Sequence, residues 1–160
     1  MKRRGLLILA VVALLLVVLG GSCISTYNNL VTLDQAVEGQ WAQVENAYQR
    51  RADLVPNLVQ AVKGAAAHER ETLEAVTQAR AQVGSVKIVG DVARDPEALK
   101  RYQAAQDQLS SALSRLIAVS EAYPQLKANE NFLALQSQLE GTENRISVER
   151  QRFNDAAREF

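Results

Sequence analysis

Fourteen consecutive apolar residues, Leu6 to Leu19, open the chain, and the pattern changes character only after residue 26. From there apolar positions recur at steps of three and four, which puts them on one face of an α-helix; no stretch alternates with the period of two that marks a strand. The first run is Leu30, Leu33, Val37, Trp41, Val44 and Tyr48. Asp53 followed by Pro56 then has the form of a helix start. An acid can cap there, and a proline is tolerated in a first turn whose N–H groups lack intrahelical partners. The spacing predicts a second helix through Leu58, Val62, Ala65, Leu73, Val76 and Val83, ending where Gly84, Ser85 and Gly90 punctuate residues 85–95. Asp95-Pro96-Glu97 predicts a third start, with a cap, a proline at the first position and an early acid. The third run, Leu99, Tyr102, Gln106, Leu109, Leu113, Leu116, Ser120 and Tyr123, alternates three and four without a skip and closes at Pro124. Asn129 can cap a fourth, through Phe132, Leu135, Leu139, Thr142, Ile146, Glu149, Phe153, Ala156 and Phe160, whose face is polar at Thr142 and Glu149.

These elements predict an all-α protein: an N-terminal transmembrane helix in residues 1–26, then an antiparallel four-helix bundle over residues 27–160. Four helices with one apolar stripe each bury that stripe most simply in this way. If Pro56 merely kinks one long helix reaching residue 84, three long helices pack instead.

Charge refines the picture of the leader. Lys2, Arg3 and Arg4 precede it, and no further charge appears before Asp34. The uncharged residues 5–24 are long enough, at ~1.5 Å per residue, to cross a ~30 Å hydrocarbon layer and make the lipid bilayer a partner of the chain. Basic residues are retained on the cytoplasmic side, and the first one after the leader is Arg50. We therefore expect an uncleaved, single-pass anchor in the cytoplasmic membrane, N-terminus inside and residues 27–160 outside. Two alternatives stand beside it: a lipoprotein tethered at Cys23, although Gly20 occupies the place where a branched apolar residue is usual, and a cleaved secretory signal. Beyond the first four residues the chain holds 15 basic and 18 acidic residues, well mixed. That balance argues against a nucleic-acid partner, which needs a basic face. A single cysteine permits no internal disulfide and no cysteine-built zinc site.

The string Arg50-Arg51-Ala52-Asp53-Leu54-Val55-Pro56-Asn57-Leu58-Val59, followed by Val62-Lys63-Gly64 and Ala67-His68-Glu69, resembles the LemA family of bacterial membrane-anchored helical-bundle proteins. The likeness extends to Tyr27-Asn28-Asn29-Leu30-Val31, to Thr77-Gln78-Ala79-Arg80, to Asn129-Glu130-Asn131-Phe132, to Leu139-Glu140-Gly141-Thr142-Glu143-Asn144-Arg145-Ile146 and to Arg152-Phe153-Asn154. The resemblance implies a single N-terminal span, a helical bundle in the cell envelope and no known biochemical activity. It further implies association with other envelope proteins, membrane metalloproteases among them. It marks Arg50, Arg51, Asp53, Leu54, Pro56, Asn57, Leu58, His68, Glu69, Arg80, Glu143 and Arg145 as family-motif residues with a structural or partner-binding role. Members usually continue past the last helix with a Pro-containing apolar tail; this chain stops at Phe160, so either the tail is absent or the chain is a fragment.

Candidate chemistry is sparse. His68 is the sole histidine, and Thr72 stands where a second zinc-binding histidine would fall on a helix. No Glu-x-x-His occurs, which weighs against a di-metal carboxylate bundle. Lys63-Gly64 has no phosphate-loop context, and the serines lack a nucleophile elbow. Glu69 falls on the line Val55, Val62, Val76, Val83, and Glu149 falls on the fourth stripe. Buried carboxylates need partners, and Arg50, Arg51, Arg80, Arg145 and Arg150 offer them as register-fixing ion pairs. Trp41 shares its face with Leu33, Val37 and Val44 and is expected in the core. The expectation is therefore a non-enzymatic scaffold or adaptor with no cofactor and no small-molecule substrate; the alternative is a metalloenzyme with a carboxylate site inside the bundle.

Overall fold

The computed structural model describes residues 2–66, 68–87 and 95–160, with side chains from Leu14 onward except those of Ala65 and Lys87. Gly90 and most of the 85–95 connection lie outside the described residues, as do the side chains of Lys2, Arg3 and Arg4. The described chain is all-helical: α1 (Lys2–Ala65), α2 (Arg70–Lys87), α3 (Pro96–Glu121), the single turn α4 (Pro124–Lys127) and α5 (Glu130–Glu159). No strand occurs among the described residues.

The sequence signals at three helix ends act as their chemistry dictates. Asp95 caps α3 by accepting from the Glu97 N–H at 2.9 Å, with Pro96 in the first turn. Asn129 caps α5 through Oδ1, which accepts from the Phe132 N–H at 3.1 Å. Each satisfies an N–H that the helix itself leaves unpaired. Between α3 and α5, Pro124 opens the short α4, whose Leu126 is buried.

The expected helix start at Asp53 is corrected. The first helix runs through Asp53 and Pro56 without interruption and ends at Ala65. A proline inside a helix removes the N–H that the carbonyl four residues earlier would accept, and it normally costs about 3 kcal/mol. For Pro56 that carbonyl belongs to Ala52. Arg80, on α2, donates its Nε–H to this oxygen at 2.9 Å. The donor lost to the proline is thus replaced from another helix, and α1 continues. Asp53 makes no cap; its carboxylate accepts from Gln49 Nε2, one turn earlier on the same helix. The three-helix alternative is corrected too, because α1 ends at Ala65, the Glu69 N–H reaches Ala66 O at 3.1 Å, and α2 begins at Arg70. The stop expected at Gly84 falls inside α2.

Tertiary contacts build two close helix pairs, α1 with α5 and α2 with α3. Trp41 meets Phe153 and Arg51 meets Glu143, so numbering rises along α1 as it falls along α5. Their buried interior includes Val44, Leu58, Val62, Val76, Leu109 and Leu116, each at most 1 % exposed. Such side chains stabilise by roughly 1.5–3 kcal/mol each when removed from water.

The N-terminal third of α1 is different. Leu14 to Leu19 and Ile24 are each more than half exposed, on every side of the helix. Among the described residues this is the one helix long and apolar enough to cross a membrane. The helix does not break at the 26/27 boundary; what changes along it is the covering, from bare at Tyr27 to enclosed at Trp41.

Candidate functional site

The most unusual feature of the interior is a buried cation. Arg51 is 2 % exposed, although guanidinium groups are rarely enclosed without partners. Its place follows from α1 being continuous: the 3–4 spacing of Trp41, Val44 and Tyr48 continues to Arg51, Val55 and Leu58 on one face. Nη1 donates to both oxygens of Glu143 on α5, at 2.8 and 3.1 Å. Nη2 donates to the backbone carbonyl of Gln106 on α3 at 3.1 Å, and to the Gln106 side-chain oxygen. One guanidinium therefore ties together three helices. Its carbon also sits 5.3 Å from the centre of the Tyr48 ring, within range for attraction to the π face.

Aromatic side chains enclose this centre on one side. Tyr48 and Trp41 each meet the Tyr102 ring edge to face, at 5.6 and 6.0 Å, and Trp41 lies 5.2 Å from Phe153. Burial pushes the hydroxyl pKa values of both Tyr48 and Tyr102 above the ordinary tyrosine value of 10.0. Among the described residues, Arg51 Nε and Tyr48 Oη are buried with no hydrogen-bond partner. The other side is wetter: the Glu143 side chain is 34 % exposed and borders an open cleft of about 460 Å³ between α3 and α5, with Leu113, Ile117 and Leu139 as its apolar lining.

The remaining singled-out residues divide by position. Leu54 and Leu58 are core residues, and Trp41 is enclosed as its spacing predicts. Arg50, Asn57 and His68 are exposed, His68 in the turn after α1. Among the described residues Glu69 pairs with no arginine; it accepts from the Tyr123 hydroxyl at 2.9 Å, a bond that raises the Tyr123 pKa. Glu149 is 5 % exposed, and its partners are Arg152 at 3.3 Å and Arg145 at 3.8 Å, both on its own helix. Among the described residues an ion pair that crosses between helices joins the buried Arg51 to the partly exposed Glu143. Arg150 makes a second crossing at the surface, to Asp107 at 3.3 Å. Cys23 is exposed on α1. Among the described residues no three or more of His, Cys, Asp and Glu gather as metal ligands would.

Gln106 and Tyr48 belong to this centre but not to the motif residues picked out above. A signal for each was available. Gln106 is a polar interruption of an otherwise regular apolar stripe, and Tyr48 lies three residues before Arg51 on the same face.

This centre joins residues from opposite ends of the chain, and the comparisons with known proteins cover the same span. The chain is 29 % identical over 171 aligned residues to magnetosome protein MamQ of Magnetospirillum gryphiswaldense, covering 94 % of this chain and 61 % of that protein. It is 27 % identical to magnetosome proteins MamQ 1 and MamQ 2 of Paramagnetospirillum magneticum, covering 82 % of this chain and 54 % of each. The chain thus spans less than two thirds of the length of these relatives. A model of the LemA family matches residues 40–160, which hold Arg51, Pro56, Arg80, Gln106 and Glu143 alike; the chain belongs to the LemA family.

Proposed function

We propose that this protein is a membrane-tethered scaffold or adaptor of the cell envelope, acting by contact with another envelope protein and not by turnover. The observation that carries this reading is the continuity of α1. One helix holds the exposed apolar leader at one end and the core side chains Trp41 to Val62 at the other. With no linker between them, a tether of this form fixes the height and rotation of whatever surface the domain presents. The helix registers support an antiparallel four-helix bundle built from α1, α2, α3 and α5. The leader serves as a single-pass anchor in the cytoplasmic membrane, and Lys2, Arg3 and Arg4 favour an inside N-terminus with the bundle outside. The interior charges support a non-enzymatic role, since Arg51 spends its terminal nitrogens on Glu143 and Gln106 in joining helices. The MamQ relatives are named for the magnetosome; for this chain the proposed partner is an envelope protein, with a membrane protease as one candidate.

The test has two parts. Protease added to right-side-out membrane vesicles is expected to digest residues 27–160, and crosslinking in those vesicles is expected to recover a specific second protein. Full protection of the bundle, or its release as a soluble species, would overturn the reading.

A further inference from the structure

The bundle carries an apolar cleft edged with cations between α1 and α2, and an apolar face edged with acids on α5. The cleft measures about 590 Å³. Val59 and Leu73 are its apolar lining, Lys63 and Arg70 flank it, and among its described lining residues Glu74 is the one acid. Lys63 and Arg70 are exposed, and among the described residues neither joins an ion pair. Arg80 adds a third cation toward α1, held there by its bond to Ala52 O.

On α5, Leu133 is 47 % exposed. Glu130 lies three residues before it and Glu140 seven residues after it, so the three share one face. From Glu130 to Asn144 the charged residues are Glu130, Glu140 and Glu143, all acidic.

Contacts within the bundle set the levels of these two surfaces. Arg51 meets Glu143 and Trp41 meets Phe153, so each residue up α1 is matched by one residue down α5. Leu133, ten residues before Glu143, is therefore level with Ala61, ten after Arg51. Arg80 meets Ala52, so Leu73, seven residues before Arg80, is level with Val59, and these two do line one cleft. By the same count Glu130 is level with Gly64, beside Lys63 and beside Arg70 at the level of Val62. Glu140 is level with Leu54, beside Arg80 at the level of Ala52. The order acid, leucine, acid on α5 thus meets the order cation pair, apolar lining, cation in the cleft. The offsets are two residues or fewer, ~3 Å along a helix.

Copies anchored in one membrane by a continuous α1 stand in one orientation with these levels aligned. The acidic face of one copy then comes opposite the basic cleft of its neighbour, a head-to-tail contact between two different surfaces. Lipid of the anchoring membrane does not reach the cleft, because Val59 lies 35 residues, ~50 Å, beyond Ile24 along α1. Confinement to the membrane raises the effective concentration, so a contact of this size needs little affinity in free solution.

From this matching of charge, apolar surface and height we infer that the chain assembles laterally with further copies of itself, the α5 face of Glu130, Leu133 and Glu140 seated in the α1–α2 cleft of the next copy. The inference rests on the anchored reading and deepens it: the scaffold is built from more than one chain, and the surface that joins the chains is named.

The experiment uses the full chain in membranes of the producing organism, carrying a photoreactive phenylalanine analogue in place of Leu133. The expected product is an adduct of two copies, mapped to residues 59–80 of the second. Val148, equally exposed on α5, is the control position, and its yield of that adduct is expected to be at least about tenfold lower. Reversing the cleft with Lys63→Glu and Arg70→Glu, or the opposing face with Glu130→Arg, is expected to lower the Leu133 yield at least about tenfold, because like charges then meet. The three substitutions together restore opposite charges and are expected to restore the yield. Unchanged Trp41 fluorescence shows that each variant keeps its core, and the combined variant carries the test where a reversal alone disturbs it. Equal yields at Leu133 and Val148, adducts only with lipid or with a different protein, reversals without effect, or no recovery in the combined variant overturn the inference. If the chain sediments with membranes and gives no adduct between copies, the inference falls and the anchored reading stands. If the chain is recovered in the soluble fraction, both fall.

Discussion

Removing Arg80 tests the most specific local argument, that a proline in α1 is tolerated because a side chain on α2 replaces the donor it lacks. Arg80→Ala deletes the 2.9 Å bond to Ala52 O and leaves that carbonyl facing the proline ring. A bond from a charged donor contributes about 1.5–3 kcal/mol. Arg80 is exposed and Ala52 only half-buried, so water recovers part of this, and a loss of about 1–1.5 kcal/mol is expected. In a Pro56→Ala background residue 56 regains its N–H and donates to Ala52 O itself. Arg80→Ala should then cost under about 0.5 kcal/mol, a coupling of about 1 kcal/mol between residues 24 positions apart. Pro56→Ala alone should stabilise, since an interior proline is costly. The assay is urea unfolding of the full chain in mild detergent, read by fluorescence of Trp41, the sole tryptophan and a core residue against Tyr102 and Phe153. Equal costs of Arg80→Ala in the two backgrounds would refute the reasoning.

Arg51→Ala, which leaves Glu143 and Gln106 without their shared partner, is expected to cost about 3 kcal/mol in the same assay, whereas Arg51→Met combined with Glu143→Leu should come close to wild type. Raised pKa values at Tyr48, Tyr102 and Tyr123 mean that the folded state holds the neutral phenols. Stability from these groups is complete below the unfolded value of about 10 and is lost as pH rises through the folded values, so the urea midpoint should fall above about pH 10 and Tyr48→Phe should blunt the fall. Intact-mass measurement of the membrane form is expected to show residues 1–22 retained; a species beginning at an acylated Cys23 would replace the anchor by a lipid tether.

Much of the helical content was legible in local pattern. Asp95 and Asn129 cap as read because a cap needs only its own next few residues. The third stripe is legible down to its polar members: Gln106 and Ser120 are buried as their spacing places them. Asp53 and Pro56 misled for a definite reason. The start they imitate is a local signal, while the donor that overrides it is Arg80, on a different helix. The true break after Ala65 carried a weaker sign, Lys63 and Gly64 in the last turn, where a cation favours a helix end. Of the site, Arg51 and Glu143 stand within the family-like strings, but their pairing is set by how α1 meets α5, which no spacing within either helix encodes. Glu149 was legible as buried and Arg145 as a candidate partner; Arg152 was not, nor that both pairings run along one helix and not between helices. Arg152 and Arg145 reach it along the helix from its exposed flanks, so burial of the carboxylate does not require a neighbouring helix.

The claim on which the functional reading depends is that membrane segment and core are one rigid helix. Spin labels at the native Cys23 and at Gln60→Cys, an exposed position beyond Pro56, measure this directly in proteoliposomes by pulsed electron resonance. With ~1.5 Å per residue the account predicts a single narrow distance distribution near 55 Å. A broad distribution, or a peak below about 40 Å, would show a joint in α1 and contradict it.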